Sequence, residues 1–242
     1  MPYAICRSAL FAPIKRGKRL MLNNIQIAAR ADVQITYTGP LLDMADSDVF
    51  LALLHIARGM IIQESERIYF QRGRLLRLLG RCQGKRDYDW LHRSLKRLTA
   101  AMLELKAQKI SGLHLIDDYD YDPQEGDWYV RLSPRIVRLF AENTFALIEW
   151  DQRLALSAPL AKWLQTYIAS HTKGKEHRIS LAHLQAWSGN AEGRARQFRA
   201  TLAKSLNELQ AQGAIVSWEL TRGSKGEPQA RWVRSCRHDL EG

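Results

Sequence analysis

The order of segments in this sequence occurs twice, and that repetition constrains the fold more than any single segment does. The first half predicts a helix, a short strand, a compact helix, a long helix and two strands, at 47–59, 68–70, 71–80, 88–108, 109–116 and 127–132. Ser47 and Asp48 predict the cap of the first helix, and Gly59 predicts its end. A polar loop is expected between the two strands.

The same order returns roughly 105–110 positions later. The second half predicts a helix, a short strand, a compact helix, a long helix and two strands, at 157–171, 178–180, 181–189, 191–211, 214–220 and 230–235. A helix-like segment at 134–142 and a strand-like segment at 145–150 join the halves. Helix, short helix, long helix and β-hairpin is the order of a winged helix-turn-helix. The sequence therefore predicts an α+β fold with two tandem winged-helix (helix-turn-helix plus β-hairpin wing) domains.

The predicted domains are residues 1–150, whose linker helix and strand begin at about 133, and residues 151–242. Each long helix carries an apolar stripe that steps by three and four positions. The stripes are Leu91, Leu95, Leu98, Met102 and Leu105 in the first helix and Phe198, Leu202, Leu206 and Leu209 in the second. One face of each long helix is therefore expected to pack on a core, while the opposite face stays exposed.

The charge of the chain favours a polyanionic partner, either a nucleic acid or an acidic membrane surface. Lys and Arg number 36 against 25 Asp and Glu, so the net charge is +11. The excess is local, because residues 67–109 carry twelve basic residues and three acidic ones. Residues 110–127 carry six acidic residues and no Lys or Arg. We expect the acidic segment Asp117–Asp127 to lie away from DNA, facing solvent or a protein partner.

The candidate DNA-binding residues lie on or next to the two long helices and on the second hairpin. Lys85 and Arg86 precede the first helix, and Arg93, Lys96 and Arg97 are expected on its face opposite the leucine stripe. On the second helix they are Arg196, Gln197 and Lys204, which point away from the stripe, and Arg194 and Arg199, which flank it. Arg222 and Lys225 occupy the hairpin tip. The alternative for each set is a solvated polar surface.

The sequence predicts no catalytic, metal or cofactor site, and so no enzyme activity. Its three cysteines are far apart and form no CxxC pair, which fits a reducing bacterial cytoplasm. Its seven histidines form no HxH or HExxH pair, and no GxxxxGK[ST] occurs. No apolar run is long enough to span a membrane.

A calcium loop is also excluded, although Asp118, Asp120 and Asp122 occupy alternate positions. The sixth position of such a loop needs glycine and holds Pro123, and the twelfth needs glutamate and holds Tyr129. We therefore interpret this segment as an acidic hairpin.

Four segments together resemble the TrfA-type replication initiators of broad-host-range plasmids. They are RSALF (7–11), DVQITYTGPLL (32–42), LSPRIVRLFAENTFALIEWDQRLALS (132–157) and GRARQFRATLAKSLNELQAQG (193–213). None is a catalytic motif, and the specificity lies in their order along most of the chain. The resemblance implies tandem winged-helix domains that bind directly repeated sites, called iterons, in double-stranded plasmid origin DNA.

The same resemblance implies that binding helps to open an AT-rich region and that host DnaA and the DnaB helicase are recruited. It further implies self-association between monomer and dimer, and no membrane partner. RSALF has a weak likeness to the pentapeptides that bind the polymerase sliding clamp, with Arg7 in place of glutamine; a buried Leu10–Phe11 pair is the alternative.

Two other functions compete with the initiator hypothesis. A transcription repressor of the same fold, including one that acts on its own promoter, differs little in sequence. A DNA-nicking enzyme of rolling-circle replication is disfavoured by the missing HxH pair.

Overall fold

The computed structural model describes residues 1–14, 19–58, 67–106, 110–141, 145–191 and 193–236, which form an α+β fold. The helices are α1 (Tyr3–Cys6), α2 (Met44–Ile56), α3 (Arg72–Leu78), α4 (Lys85–Thr99), α5 (Pro134–Ala141), α6 (Trp150–Ala155), α7 (Pro159–Ala169), α8 (Leu181–Trp187) and α9 (Ala195–Ala211). The strands are β1 (Phe11–Ala12), β2 (Met21–Ile27), β3 (Ile35–Pro40), β4 (Leu42–Asp43), β5 (Arg67–Phe70), β6 (Met102–Leu105), β7 (Ile110–His114), β8 (Ile116–Asp122), β9 (Asp127–Leu132), β10 (Glu176–Ser180), β11 (Ile215–Arg222) and β12 (Pro228–Arg234). None of the described helices is long and apolar enough to cross a membrane.

Helix α2 begins three residues before the cap that the sequence predicted. The Asp43 carboxylate accepts hydrogen bonds from the backbone N–H groups of Ala45 and Asp46, both at 3.0 Å. The Asp46 carboxylate in turn accepts from the Asp43 N–H at 3.2 Å, which completes a reciprocal capping box. Ser47 and Asp48 therefore lie inside the helix, and the predicted cap was wrong. Gly59, the predicted end, lies outside the described residues.

Helix α4 ends at Thr99, well before the predicted end near Gln108. Met102 and Leu105, assigned from the sequence to its apolar stripe, lie on β6 instead. Strand β6 pairs with β3 and β7 in a four-stranded sheet of order β2-β3-β6-β7. Leu103 and Leu105 are buried, while Met102 and Glu104 are partly exposed. Pairing on both sides of β6 therefore overrides a helical spacing that the apolar residues also satisfy.

The first hairpin also differs from the prediction. Strand β7, predicted to be one of its arms, belongs to the four-stranded sheet, and the arms are β8 and β9. Most of the acidic segment is thus strand β8 and not a loop, and the turn is confined to 123–126. Gly126 ends that turn with a φ of +71°, a conformation that favours glycine. The predicted strand at 145–150 is absent from the described residues; Phe145 makes an isolated bridge to Pro2, and α6 begins at Trp150.

The duplicated order of elements is present in the structure with the same strand pairing in both copies. The first repeat, α2 to β9, forms the sheet β5-β9-β8, and the second repeat, α7 to β12, forms the sheet β10-β12-β11. In each, the short strand pairs with the second arm of the hairpin, and two helices lie between them in sequence. The inserted strands β6 and β7 account for the longer spacing between helix and hairpin in the first repeat.

The repetition extends to a row of side chains across each sheet. Arg67, Arg131 and Asp118 are neighbours across β5, β9 and β8, and Arg131 pairs with Asp118. Arg178, Arg231 and Glu219 occupy the corresponding row across β10, β12 and β11, and Arg231 pairs with Glu219. Each repeat thus places two arginines and one acid side by side on one sheet face.

The two repeats share one connected hydrophobic core. The N-terminal segment contributes to the second repeat, since the Trp163 indole N–H donates to the Ser8 carbonyl at 3.0 Å. Arg7 also donates to the carbonyl of Ser170 at 2.7 Å. Leu10 and Phe11 are 2% and 4% exposed, and the Phe11 ring stacks on Phe50. The buried Leu10–Phe11 pair is therefore confirmed, and RSALF does not present these side chains to a clamp.

A fully buried arginine on α6 links the repeats. Arg153 donates from Nε to the Asp48 carboxylate of α2 at 2.7 Å. From Nη1 it donates to the Lys162 carbonyl of α7 at 2.5 Å and to the Thr166 hydroxyl at 3.1 Å. Lys162 also pairs with Asp48, at 2.6 Å. Burial lowers the pKa of Arg153, while Asp48 opposes that shift and favours the charged form.

Replacing Arg153 by Met should destabilise the protein by about 2–3 kcal/mol, because the Lys162 carbonyl and the Thr166 hydroxyl lose a buried donor, while Asp48 keeps its ion pair with Lys162. The free energy of unfolding from denaturant titration measures the effect. The matched control is Arg178→Met, which removes an exposed partner of Glu176 and should cost about 0–1 kcal/mol. Equal losses for the two variants would contradict the structural role given to Arg153.

Candidate nucleic-acid interface

Helix α4 presents an exposed basic face opposite its buried side. Leu91, Ser94, Leu95 and Leu98 are buried against the core. The predicted contact residues on the opposite, exposed face are Lys85, Arg86, Arg93 and Lys96. Asp89 and His92 lie exposed among them, and the sequence analysis did not consider either. The face therefore carries four cations and one carboxylate.

Arg97 does not belong to this exposed face. Its guanidinium binds the fully buried carboxylate of Asp46, with Nη2 at 2.7 Å and Nε at 3.1 Å from the two oxygens. The Ser94 hydroxyl donates to the same carboxylate at 2.6 Å. The expectation that Arg97 lies opposite the leucine stripe was wrong, since a buried carboxylate on α2 draws its side chain to the boundary between α2 and α4.

The preceding helix adds two basic side chains that the sequence analysis missed. Arg74 and Arg77 of α3 are exposed, and between them Leu75 and Leu76 are fully buried. In the sequence, the i, i+3 spacing of these two arginines around a pair of leucines could have indicated an exposed basic face. Arg72 of the same helix is held instead against the Trp128 ring, at 4.5 Å from its centroid.

Helix α9 presents the predicted polar face. Phe198, Leu202, Ser205, Leu206 and Leu209 are buried. The predicted contact residues on this helix and at its N-cap are all exposed, namely Arg194, Arg196, Gln197, Arg199 and Lys204. Asn207 is exposed three positions beyond Lys204 and was not predicted as a contact. Arg196 and Gln197 lie in the first turn of the helix, as the sequence indicated.

A carboxylate on α9 fixes that helix against the start of α7. Glu208 accepts hydrogen bonds from the Ser157 backbone N–H at 2.5 Å and from its hydroxyl at 2.7 Å. Burial alone would raise the pKa of Glu208, but these bonds outweigh it and lower the pKa below its ordinary value. The Glu208 carboxylate is thus charged near neutral pH, and it holds the C-terminal end of α9 against the start of α7.

The two hairpins differ in charge. Arg222 ends β11 and Lys225 lies in the following turn, both exposed, as predicted for the tip of the second hairpin. The turn is closed by Glu227, whose carboxylate accepts from the Lys225 backbone N–H at 3.1 Å. Gly226 adopts a φ of +79° in that turn. This tip therefore exposes two cations beside one acid.

Two carboxylates of the first hairpin pair with arginines of its own sheet. Asp118 pairs with Arg131, and Asp122 pairs with Arg67 at 2.6 Å. Hydrogen bonds from the Gln124 backbone and from the Tyr69 hydroxyl, together with Arg67, lower the pKa of Asp122. Asp120 is exposed and bonds to the backbone N–H of Tyr121. The acidic strand is therefore partly neutralised by arginines that face it.

Comparison with known proteins places these elements in a family. The family model described as TrfA protein matches residues 1–221. The chain belongs to the TrfA family. The resemblance found in the sequence is thus confirmed, and family membership supports a role as a replication initiator. A search of curated proteins found no match.

Two solved structures of RctB share the fold of this TrfA-family chain. RctB domains 2–3 (residues 155–483) are 13% identical, with 97% of each chain covered and a TM-score of 0.60. A selenomethionine derivative of domains 2 and 3 is 14% identical, with 100% of this chain and 99% of that chain covered and a TM-score of 0.61. At these identities the likeness concerns the fold alone.

Arg97→Ala should destabilise the protein by about 2–3 kcal/mol, because it leaves the buried Asp46 carboxylate with fewer donors. Lys96→Ala, the neighbouring exposed position, should change stability by less than about 0.5 kcal/mol. Thermal or denaturant unfolding of the two variants measures the difference. If Arg97→Ala is as stable as Lys96→Ala, the ion pair with Asp46 contributes nothing to the fold.

Proposed function

We propose that this protein initiates plasmid replication by binding repeated sites, the iterons, in double-stranded origin DNA, and that both repeats act as winged helices. The observation that carries the proposal is the repeated arrangement of short strand, two helices and hairpin, with an exposed basic long helix in each copy. Membership of the TrfA family supports the same role. The protein acts by binding energy and performs no covalent chemistry.

In this proposal α4 and α9 are the recognition helices. Helices of this type enter the major groove, and two of them read sites about 34 Å apart, one helical turn of DNA. The first turn of such a helix reaches base edges, whereas flanking cations hold phosphates. Arg196 and Gln197 occupy that turn of α9, and their side chains suit bidentate contacts with guanine and adenine.

The hairpins contribute unequally to the proposed complex. The second hairpin brings Arg222 and Lys225 to the phosphate backbone, while the first hairpin, with its acidic strand, stays off the DNA. In the first repeat Arg74 and Arg77 of α3 supply additional phosphate contacts beside α4. The first repeat thus binds through two helices, and the second through a helix and a wing.

The adjacent AT-rich region opens if some protein–DNA contacts form only on deformed DNA. Those contacts then offset the deformation free energy, which is roughly a few kcal/mol. Recruitment of host DnaA and the DnaB helicase is proposed from family membership alone. Contact with the sliding clamp is not proposed through RSALF, since Leu10 and Phe11 are buried.

Arg196→Ala should weaken binding to the iteron by about 1–3 kcal/mol and relax the preference at one base position. Arg222→Ala should weaken all sequences alike and reduce the log–log salt slope by about one. Both affinities are measured on iteron and random duplexes at matched salt. The matched control is Arg231→Ala, which also removes one arginine from this repeat. Arg231 lies in the sheet and not at the hairpin tip.

If Arg196→Ala lowers both affinities equally, Arg196 is a phosphate contact and the base-reading role is wrong. The same variant separates initiator from repressor when a minimal plasmid origin is maintained in cells. An initiator variant that no longer reads its iterons loses the plasmid. If the plasmid is still maintained in cells that carry the variant, although the variant no longer binds the iteron in vitro, the autoregulatory repressor is favoured instead.

Self-association through the predicted first domain, residues 1–150, is the remaining part of the proposal. Strand β2 lies at one end of its sheet, and Met21 and Ile25 on it are 70% and 48% exposed. An exposed apolar edge strand is suited to pairing with a second copy.

Met21→Lys should abolish a concentration-dependent dimer in sedimentation at micromolar protein. Val216→Lys, at an exposed position on edge strand β11, should not; the reverse result places the interface elsewhere.

A further inference from the structure

A cavity of about 670 Å³ lies between the N-terminal segment and the second repeat, open to solvent. Its walls come from the end of α7, strand β10, helix α8 and strand β12. None of the candidate DNA-binding residues is among the described residues that line it. A volume of this size is typical of small-molecule sites, which combine aromatic walls with a few polar groups.

Six aromatic or imidazole rings line the cavity: Tyr167, His171, His177, His183, Trp187 and Trp232. The centroids of His171 and Tyr167 are 4.6 Å apart, and those of His171 and His177 are 4.7 Å apart. His183 lies parallel to Trp187 at 5.0 Å. Tyr167 and Trp232 are buried, whereas His183 is exposed at the entrance. Such a set of ring faces suits a flat aromatic ligand.

The imidazole of His171 in the cavity wall is neutral and holds Arg30 in place. Burial lowers the pKa of His171 to about 4, so its ring is neutral at pH 7. Its Nδ1 lies 2.9 Å from the Tyr167 carbonyl and therefore carries the proton, which leaves Nε2 to accept a hydrogen bond from Arg30 Nη1 at 3.4 Å.

The N-terminal side of the cavity carries a positive charge. Arg7 and Arg30 share the single carboxylate of Asp32, at 2.8 and 3.1 Å. Arg7 also donates from Nε to the Ser170 hydroxyl and from Nη2 to the Ser170 carbonyl. The contacts of Arg30 within the described residues involve Nε and Nη1, the latter 3.4 Å from His171 Nε2, so Nη2 is available to a ligand oxygen.

The opposite side of the cavity is close to neutral. Arg178 pairs with Glu176 at 2.5 Å. Glu227 directs its carboxylate to its own hairpin, accepting from the Lys225 backbone and from the Gln229 side chain. The excess charge thus lies at Arg30, which gives an anionic group one preferred end of the cavity.

We propose that this cavity binds a mononucleotide, with the base stacked on the side of the Trp187–His183 ring pair that faces the cavity and the phosphate at Arg30. Trp187 is half-buried and offers its ring to the cavity, and Arg30 is 36% exposed in its side chain. The site is separate from the DNA-contacting faces of α4 and α9, so it does not depend on the proposed function.

The experiment titrates the full chain with AMP and follows the intrinsic tryptophan fluorescence and the heat of binding. Saturable 1:1 binding with a Kd tighter than about 1 mM is expected. Trp187→Leu should weaken it about tenfold, because stacking on an aromatic ring is worth about one factor of ten per base. Arg30→Gln should weaken it to a similar degree, while binding of adenosine should be unaffected by Arg30→Gln.

The matched controls are Trp218→Leu, a half-buried tryptophan of the same repeat outside the cavity, and Arg199→Gln, an arginine of α9. Both should bind AMP as the unaltered protein does. Unfolding midpoints identify any variant that fails to fold. If Trp187→Leu or Arg30→Gln fails to fold, AMP binding by the other of these two variants tests the proposal.

Three results would overturn the proposal. The first is absence of saturable AMP binding below about 1 mM. The second is an equal effect of Arg199→Gln and Arg30→Gln, which indicates general attraction to a basic surface. The third is binding of a short single-stranded oligonucleotide without binding of AMP, which assigns the cavity to nucleic acid. Duplex binding measured on the same samples keeps each result independent of the DNA-binding role.

Discussion

The arrangement of the two repeats depends on one buried ion pair. Arg153 lies on α6, yet it binds a carboxylate of α2 and the backbone of α7, the leading helices of the two repeats. Desolvating a guanidinium is costly, and the cost is offset only when its donors have well-placed partners. This requirement fixes how the leading helices meet. It also fixes the positions of α4 and α9, because α4 packs on α2 through Asp46 and α9 packs on α7 through Glu208.

The repeats keep the same framework and differ in the charge of their hairpins. The row of two arginines and one acid occurs in both sheets, so the framework does not determine that difference. Two acids of β8, Asp118 and Asp122, pair with Arg131 and Arg67, while Asp117 and Asp120 are exposed. At the tip of the second hairpin, Glu227 lies beside Arg222 and Lys225. Two copies of one fold can therefore present hairpins of different charge.

The sequence predicted the repeated order, the α8–α9 pair and the exposed face of α9, because each rests on spacing within one element. It failed wherever a distant segment decided the outcome. Met102 and Leu105 fit a helical stripe, and only pairing with β3 and β7 makes them a strand. Arg97 fits an exposed face, and only the buried carboxylate of Asp46, 51 positions away, turns it inward. The cavity lined by Arg30 and His171 was not visible either, since its walls are brought together by folding alone.

The N-terminal segment has a consequence for how the chain reaches this structure. The Ser8 carbonyl bonds to a tryptophan 155 positions later, and Arg7 bonds to a serine 163 positions later. During synthesis these residues leave the ribosome long before their partners exist. Contacts of such long sequence separation form late and slow the folding of a chain. The segment around Arg7 and Ser8 consequently lacks these partners for much of translation, which exposes it to chaperones or to premature association.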